Sequence, residues 1–553
     1  FWSFINVGGL SFPESAVGFY PERHWWWFQA SRVLPGGEIN EFPFFSLILG
    51  DLHPHLMSLP FFILSVSLIF NLFYEQSSIA FGRQWFFSNK YKLLLFSLAM
   101  GGCGFINIAD LPVIALLFCV ILYVRLRSFE KEDVILAFAK STMTTVAITV
   151  VALSCFFPFY LFFTSTINGI ATYVMPTSRA IHLFLMWGVF MVVGTIFMIL
   201  YFSKEYGSRL LECCANYSFK FESFWVTVSR HSYRMPIMRK VLSYLLLYIS
   251  LGFLASSLIN MFLFGEFIGS KGGVFILLGG IAICLTSVVP SQFTYDHKLP
   301  LGFSLVLILV SVGLILGPEV LYINDLFNSR MNTVFKLYYQ AWILLSCGIA
   351  YALVYIISAI AQTKSLSKYL QIASLIPIIM VMIPAVYYPV AASLSRIEFE
   401  RTSQWNISAL SSSTTDTYHD KDIIRYFEEV DPRSIIVEAV GNDYSSYGRI
   451  AAFTGLPTII SWPGHQQQWN RPSDEIHRRI ADVETIYKDP SIGKIKQLID
   501  RYGFDYIVVG DREYQKYGKI NLDRFERLAI YCNDRQTDKA CYRNGTTLIY
   551  RVN

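Results

Sequence analysis

Apolar residues fill long stretches of the chain between residues 54 and 394, and short polar segments separate these stretches. A helix needs about 20 mostly apolar residues to cross a bilayer, so the pattern predicts membrane spans. Ten spans are predicted: 54–74, 92–108, 111–126, 142–164, 181–202, 241–264, 273–290, 300–316, 338–360 and 369–394. The second and third are short and share the linker 107–110, which predicts a tight hairpin whose tip dips into the membrane.

The charge of the loops orients these spans. Loop 203–240 holds seven Lys and Arg residues against three Glu residues, and such an excess is typical of cytoplasmic loops. Counting outwards from it, the basic loops 75–91, 127–141 and 361–368 also fall inside. The segments predicted to lie outside are 1–53, 109–110, 165–180, 265–272, 317–337 and 395–553.

The pattern changes near residue 395. A linker rich in Ser, Thr and Asp covers 407–420, and short apolar strands then alternate with amphipathic helices. This alternation predicts a soluble α/β domain. Three regions follow: an outer-face segment 1–53, a transmembrane bundle 54–394 and an extracytoplasmic α/β domain 395–553. Outside the cytoplasm, Cys532 and Cys541 could form a disulfide.

Composition agrees with this architecture. Of the 553 residues, 54% are hydrophobic and only 15% are charged, which excludes a soluble enzyme and a disordered protein. The formal net charge of +5 fits cytoplasmic loops beside anionic lipid and gives no sign of a nucleic-acid partner. The chain opens on Phe1 without a signal-peptide pattern, so we expect a fragment that lacks its true N-terminus.

One polar group precedes the first span, within the motifs Glu41-Phe-Pro-Phe-Phe-Ser46 and Gly50-Asp51-Leu-His53-Pro-His55. Carboxylates in such an apolar setting usually mark a site, because burying them is expensive. Glu41 and Asp51 are the catalytic candidates, as general base or as ligands of a divalent cation such as Mg²⁺ or Mn²⁺. His53 and His55 are candidates for orienting a carboxylate, contacting a phosphate or ligating a metal. The alternative is a helix cap at Asp51 with interfacial histidines.

Two further outer groups lie in the chain. Asp110 precedes Leu111-Pro112 and is well explained as a helix N-cap, although a functional role stays open. In the loop 317–337, Arg330 and Lys336 lie outside against the usual bias and, with Asn332, are candidates for gripping a lipid phosphate. The alternative for Arg330 is an ion pair with Asp325 or Glu319 that only holds the loop.

In the C-terminal region, the segment from Trp462 to Arg471 is dense in aromatic and amide side chains. His465, Trp469 and Arg471 are substrate-binding candidates there, since Trp faces with amide donors suit sugar rings; the alternative is a packed loop. The sequence contains no Walker A, GxSxG, HExxH or paired CxxC motif, so nucleotide hydrolysis, serine esterase chemistry and zinc proteolysis have no support.

The motifs resemble those of a family of prokaryotic integral membrane proteins, the Chlor_Arch_YYY or DUF2298 family. The matching segments are 39–55, 107–112, 330–342 and 465–471. The tyrosine run that names the family lies upstream of the residues present, in keeping with a fragment. The resemblance implies a GT-C-like glycosyltransferase of the cell membrane, with its site on the outer face and a polyprenyl-phosphate sugar donor.

This resemblance implies inverting transfer of a sugar to a glycan, lipid or protein acceptor. A carboxylate would deprotonate the acceptor hydroxyl, and Arg330, Lys336 or a cation held by Asp51 and Glu41 would stabilise the leaving phosphate. Two other classes stay open: a transporter, which would place ionisable residues near span midpoints, and a non-catalytic assembly protein whose outer domain binds glycan.

Overall fold

The computed structural model describes residues 25–34, 36–50, 52–74, 83–128, 130–164, 167–174, 178–216, 299–362, 367–399, 415–469, 471–530, 540–544 and 547–553. These residues are mainly helical. The chain divides into two compact units, Phe1–Phe399 and Glu400–Asn553, and each is described by itself.

The first unit, the membrane unit, consists of helices with one small strand pair. After a 3₁₀ helix at Trp26–Ser31, its elements are α1 (Pro43–Leu49), α2 (Pro54–Met57), α3 (Leu59–Tyr74), α4 (Arg83–Ser88), α5 (Lys90–Ile106), α6 (Asp110–Ser128), α7 (Val134–Cys155), α8 (Phe157–Tyr160), β1 (Ile170–Thr172), α9 (Ala180–Asn216), α10 (Leu299–Val320), β2 (Leu321–Ile323), α11 (Met331–Gln362), α12 (Ser367–Ala373) and α13 (Leu375–Phe399). Strands β1 and β2 pair antiparallel, with Ile170 opposite Ile323.

Five of the described helices are long and apolar enough to cross a membrane. They are Val134–Cys155, Ile181–Met198, Pro300–Val320, Met331–Gln362 and Gln371–Glu398. This finding confirms a helical membrane protein and matches five of the predicted spans. Helices α3, α5 and α6 coincide with three more predicted spans without meeting the same criterion of length and composition. The predicted spans 241–264 and 273–290 lie outside the described residues.

Small residues let the helices approach each other closely. A Cβ at Gly101 of α5 would collide with the backbone carbonyl of Ala152 on α7, and a Cβ at Gly348 of α11 would lie 2.9 Å from the Ile308 side chain of α10. Such contacts are the usual basis of helix association in lipid, where burial of apolar surface gives little driving force. Around them, apolar side chains of α3, α5, α6, α9, α10 and α11 form one continuous core.

The second unit combines short helices with a small sheet. Its elements are α14 (Thr415–Glu428), β3 (Ile436–Val437), α15 (Arg449–Thr454), α16 (Pro463–Gln468), α17 (Ser473–Lys488), α18 (Ile492–Tyr502), β4 (Tyr506–Val509), α19 (Asp511–Tyr517), α20 (Asp523–Leu528), β5 (Tyr542–Asn544) and β6 (Thr547–Arg551). The strand order is β3-β4-β6-β5.

Only part of this sheet is parallel. Strand β3 runs parallel to β4, with Ile436 opposite Tyr506, and Thr458 adds a parallel bridge to Ile436. Strand β6 runs antiparallel to both β4 and β5. Cys541, just before β5, is disulfide-bonded, whereas its predicted partner Cys532 lies outside the described residues.

Candidate functional site

A chain of polar side chains lies buried just before the first long helix. Ser46 Oγ donates a hydrogen bond to Glu41 Oε2 at 3.2 Å, and His55 Nε2 lies 3.7 Å from the same oxygen. On its other side, His55 Nδ1 lies 2.9 Å from His53 Nδ1, so one ring donates and the other accepts. Glu41 and His55 are buried and His53 is half-buried, so the chain leads outward from the carboxylate to His53.

Local backbone geometry brings these residues together. Helix α1 ends at Gly50, whose φ of 75° is a conformation that residues with a Cβ rarely adopt. The chain turns back there, and Pro54 starts α2 so that His55 returns beneath Ser46. The ring of His55 then packs edge-on against Phe335 and Tyr339 of α11, with centroid distances of 4.5 and 4.3 Å. The histidine pair is thereby fixed against a long helix.

The hairpin between α5 and α6 contributes a second polar group. Asp110 is buried, and its Oδ1 accepts hydrogen bonds from Asn107 Nδ2 at 2.9 Å and from Gln340 Nε2 at 2.6 Å. Gln340 lies nine residues beyond the start of α11, which is about 14 Å along the helix axis at 1.5 Å per residue. This contact joins the tip of the hairpin to α11. It also gives the Asp110 carboxylate a role beyond that of a cap.

Arg330 is held in a buried ion cluster, which we call the arginine cluster: Arg330, Glu38 and Glu319. Its Nε donates to Glu38 Oε1 at 2.7 Å and its Nη1 lies 2.9 Å from Glu319 Oε2. The guanidinium also stacks over the Tyr173 ring. Burial alone would lower the pKa of Arg330, but the two carboxylates outweigh it and raise that pKa above its ordinary value. Arg330 therefore stays charged, and the loop-holding alternative with Glu319 describes its contacts well.

Asn332 and Lys336 follow on α11, one turn apart. Asn332 Nδ2 donates to Asp325 Oδ2 at 2.5 Å, so this amide closes the loop that precedes the helix. Lys336 is half-buried, and Asp325 is the acidic group that acts on it electrostatically. No ion pair within 4.0 Å involves Lys336 among the described residues. Lys336, rather than Arg330, thus remains open to an anionic ligand.

The remaining candidates lie in the second unit. His465 of α16 contacts the rings of Tyr444 and Trp462, Trp469 is exposed, and Arg471 lies 3.6 Å from Glu475. Asp51 lies outside the described residues.

The structure therefore groups the predicted residues in a way the sequence did not show. Glu41, His53 and His55 meet, Asn332 faces Asp325, and Arg330 is turned towards two carboxylates. Sequence reasoning missed Glu38 as an ion-pair partner of Arg330. The signal was present, because an arginine beside apolar helices needs buried carboxylates, and Glu38 directly precedes the first motif.

Among the residues that the structure describes, no group of three or more His, Cys, Asp and Glu side chains is arranged to hold a metal ion. The predicted cation pair of Glu41 and Asp51 stays a prediction, because Asp51 lies outside the described residues.

The family model described as "Uncharacterized membrane protein (DUF2298)" matches residues 4–345. This match covers more than half of the chain, and the chain belongs to the DUF2298 family. The resemblance inferred from the motifs is thereby confirmed. Curated proteins yield no match.

Proposed function

We propose that this protein is a membrane glycosyltransferase of the GT-C type, which transfers a sugar from a polyprenyl-phosphate donor to an acceptor at the outer face. In this proposal the bundle has ten spans, and the second unit is an extracytoplasmic α/β domain. The observation that carries it is the buried chain Glu41–His55–His53, which packs on the same helix that bears Lys336. In this proposal His53 supplies the base, and Lys336, which follows Phe335 in the sequence, supplies the cation that binds the phosphate.

The proposed reaction is a single displacement. The acceptor oxygen forms a bond to the anomeric carbon while the bond from that carbon to the phosphate oxygen breaks and its electron pair leaves with the phosphate. The acceptor proton passes to His53 at the mouth of the polar chain, or to the carboxylate of Asp51, which lies outside the described residues. Glu41 acts as a positioning residue, because it is buried behind His55 and fixes which ring nitrogen carries the proton.

Lys336 takes the role of binding the leaving phosphate. Lys336 is half-buried, and a positive charge in such a site stabilises a phosphate more strongly than it would in water. Arg330 holds the loop that precedes α11 and so keeps the first turns of that helix in place. This assignment gives the phosphate contact to Lys336 alone, six positions after Arg330 in the sequence.

The test is a transfer assay in membranes that contain the full-length protein, with polyprenyl-phosphate sugars as donors. Loss of the base should lower the rate about 10²–10⁴-fold in His53→Asn or Asp51→Asn. Lys336→Met should cost about 10²-fold or more. The matched controls are His477→Asn and Lys368→Met, which replace exposed residues of the same types. Equal rates in the site variants and their controls would refute the proposal.

A transporter is the second candidate, and one observation favours it. Asp110 is a buried ionisable residue beside Gln340 of α11, a helix long and apolar enough to cross a membrane, and ionisable residues within spans often lie on ion or substrate pathways. Uptake of a labelled substrate into proteoliposomes that is lost in Asp110→Asn, without any sugar transfer, would favour transport. Transfer that survives in Asp110→Asn would favour the enzyme.

A further inference from the structure

Two segments of the second unit leave the sheet at the same end of its strands. The loop 438–448 follows β3, and the loop 461–469, which includes the short helix α16, follows the parallel bridge at Thr458. Both segments run parallel to their neighbours in the sheet, so both loops start at carboxyl ends. In open α/β sheets, ligands bind in the crevice outside the carboxyl ends of the strands. The position of these loops is therefore that of a binding site, before their side chains are considered.

The two loops are packed together closely enough to be rigid. Gly464 N donates to Asp443 Oδ1 at 3.1 Å, and Trp462 Nε1 donates to the Tyr447 carbonyl at 2.6 Å. A Cβ at Gly464 would collide with the Asp443 carboxylate, and a Cβ at Gly448 would collide with Ser461. These contacts hold the loops in one arrangement, which lowers the entropy that a ligand must remove on binding.

Aromatic rings on these loops form a surface that we call the aromatic platform: Tyr444, Trp462, His465 and Trp469. The Tyr444 and His465 ring centroids lie 4.8 Å apart, and those of Trp462 and His465 lie 5.1 Å apart. Trp469 follows His465 by four residues at the end of α16, so both side chains lie on one face. Tyr444 and Trp469 are each 77% exposed, although large aromatic side chains usually bury most of their surface.

Backbone geometry shows that the exposure of Tyr444 is maintained at a cost. Its φ is 53°, in the left-handed region that a bulky residue with a Cβ rarely adopts. Such conformations persist where the surrounding structure enforces them, and they cluster at ligand sites. The ring is thus held outward on Trp462 instead of folding into the core.

Polar groups beside the rings complete the site. His465 Nε2 is shielded from solvent and has no hydrogen-bond partner among the described residues. The Asp443 carboxylate accepts a hydrogen bond from the backbone nitrogen of Gly464, the residue before His465. A pyranose ring presents a flat face of C–H groups that packs on an aromatic ring, and an edge of hydroxyls that bond to carboxylate and imidazole groups. A few fixed polar groups beside apolar rings are the usual composition of a small-molecule site.

We propose that the aromatic platform binds a hexopyranose unit of a glycan, with Trp469 and Tyr444 stacking on its faces and His465 bonding to a hydroxyl. The inference holds whether or not the membrane unit transfers sugar. One sugar ring contacts a small area, so we expect millimolar affinity for a monosaccharide and tighter binding for a longer glycan.

The test is saturation-transfer NMR on the full-length protein in nanodiscs, because maltoside or glucoside detergents would compete for the site. The probes are the methyl glycosides of glucose, galactose, mannose and N-acetylglucosamine. At least one should receive magnetisation from the protein, and Trp469→Ala should weaken its binding tenfold or more. Trp469→Tyr, which keeps a flat ring, should restore most of the affinity. Phe453→Ala is the matched control, since Phe453 is an exposed aromatic residue of α15 that is not part of the aromatic platform.

Three results would overturn the inference: no signal from any of the four glycosides, equal binding by the Trp469→Ala variant, or a loss that Phe453→Ala shares or Trp469→Tyr fails to restore. An unchanged thermal unfolding temperature shows that Trp469→Ala leaves the fold intact. A second variant, His465→Ala, keeps the exposed rings and should weaken binding with the same glycoside preference. Since no step of this measurement needs sugar transfer, its outcome is independent of the transfer assay.

Discussion

Replacement of Arg330 by methionine should destabilise the membrane unit strongly, because the arginine cluster contains more negative than positive charge. The side chains of Arg330, Glu38 and Glu319 are 3%, 5% and 0% exposed. Two carboxylates and one guanidinium give a net charge of −1, and Arg330→Met leaves −2 with no buried cation. Removing the partner of a buried charge costs about 3–5 kcal/mol.

The matched variant Glu38→Gln should be milder. It leaves a neutral pair of Arg330 and Glu319 and weakens one hydrogen bond of 2.7 Å, which costs about 1–2 kcal/mol. A triple variant with Arg330→Met, Glu38→Gln and Glu319→Gln removes every charge and should recover much of the stability that Arg330→Met loses, since replacing whole buried ion clusters is often close to neutral.

The assay is thermal unfolding of the full-length protein in nanodiscs, followed by tryptophan fluorescence. From highest to lowest, the expected order of unfolding temperatures is wild type, Glu38→Gln, the triple variant and then Arg330→Met. If Glu38→Gln were as unstable as Arg330→Met, the charge argument would be refuted. The same holds if the triple variant were no more stable than Arg330→Met.

Two other predictions concern the second unit and the topology. Burial raises the pKa of Glu438 from 4.5 to about 7, with Arg449 opposing the shift, so the folded protein keeps this proton where the unfolded chain has released it. The second unit should therefore lose up to about 3 kcal/mol as pH rises from 4.5 to 7, at 1.36 kcal/mol per pKa unit. Hydrogen exchange of the β4 amides, corrected for the intrinsic rate, should show this loss in the wild type but not in Glu438→Gln; parallel pH profiles would contradict it. For topology, an impermeant thiol reagent added to intact cells should label Arg433→Cys, predicted outside, and leave Lys131→Cys, predicted inside, unlabelled; the opposite pattern would invert the orientation.

Local signals predicted the helical architecture well. Continuous apolar stretches marked the helices that the structure describes, because a span is specified by its own residues. The motif around His53 and His55 also located a polar cluster correctly, since polar residues beside a long apolar helix need partners.

The partners themselves could not be predicted, because they come from distant parts of the chain. His55 rests on Phe335 and Tyr339, and Asp110 accepts from Gln340, which follows it by 230 positions. A single sequence carries no record of such pairs. For the same reason, Arg330 was a reasonable candidate for gripping phosphate until its contact with Glu38, 292 positions away, became visible.

The hydrogen bond between Asp110 and Gln340 has a consequence for biogenesis. The ribosome makes α6 long before α11, so the Asp110 carboxylate is at first without its partner Gln340. Asn107, made three residues earlier, is then its nearest neighbour in sequence that can donate a hydrogen bond. The hairpin between α5 and α6 can therefore form this hydrogen bond only after α11 has been made.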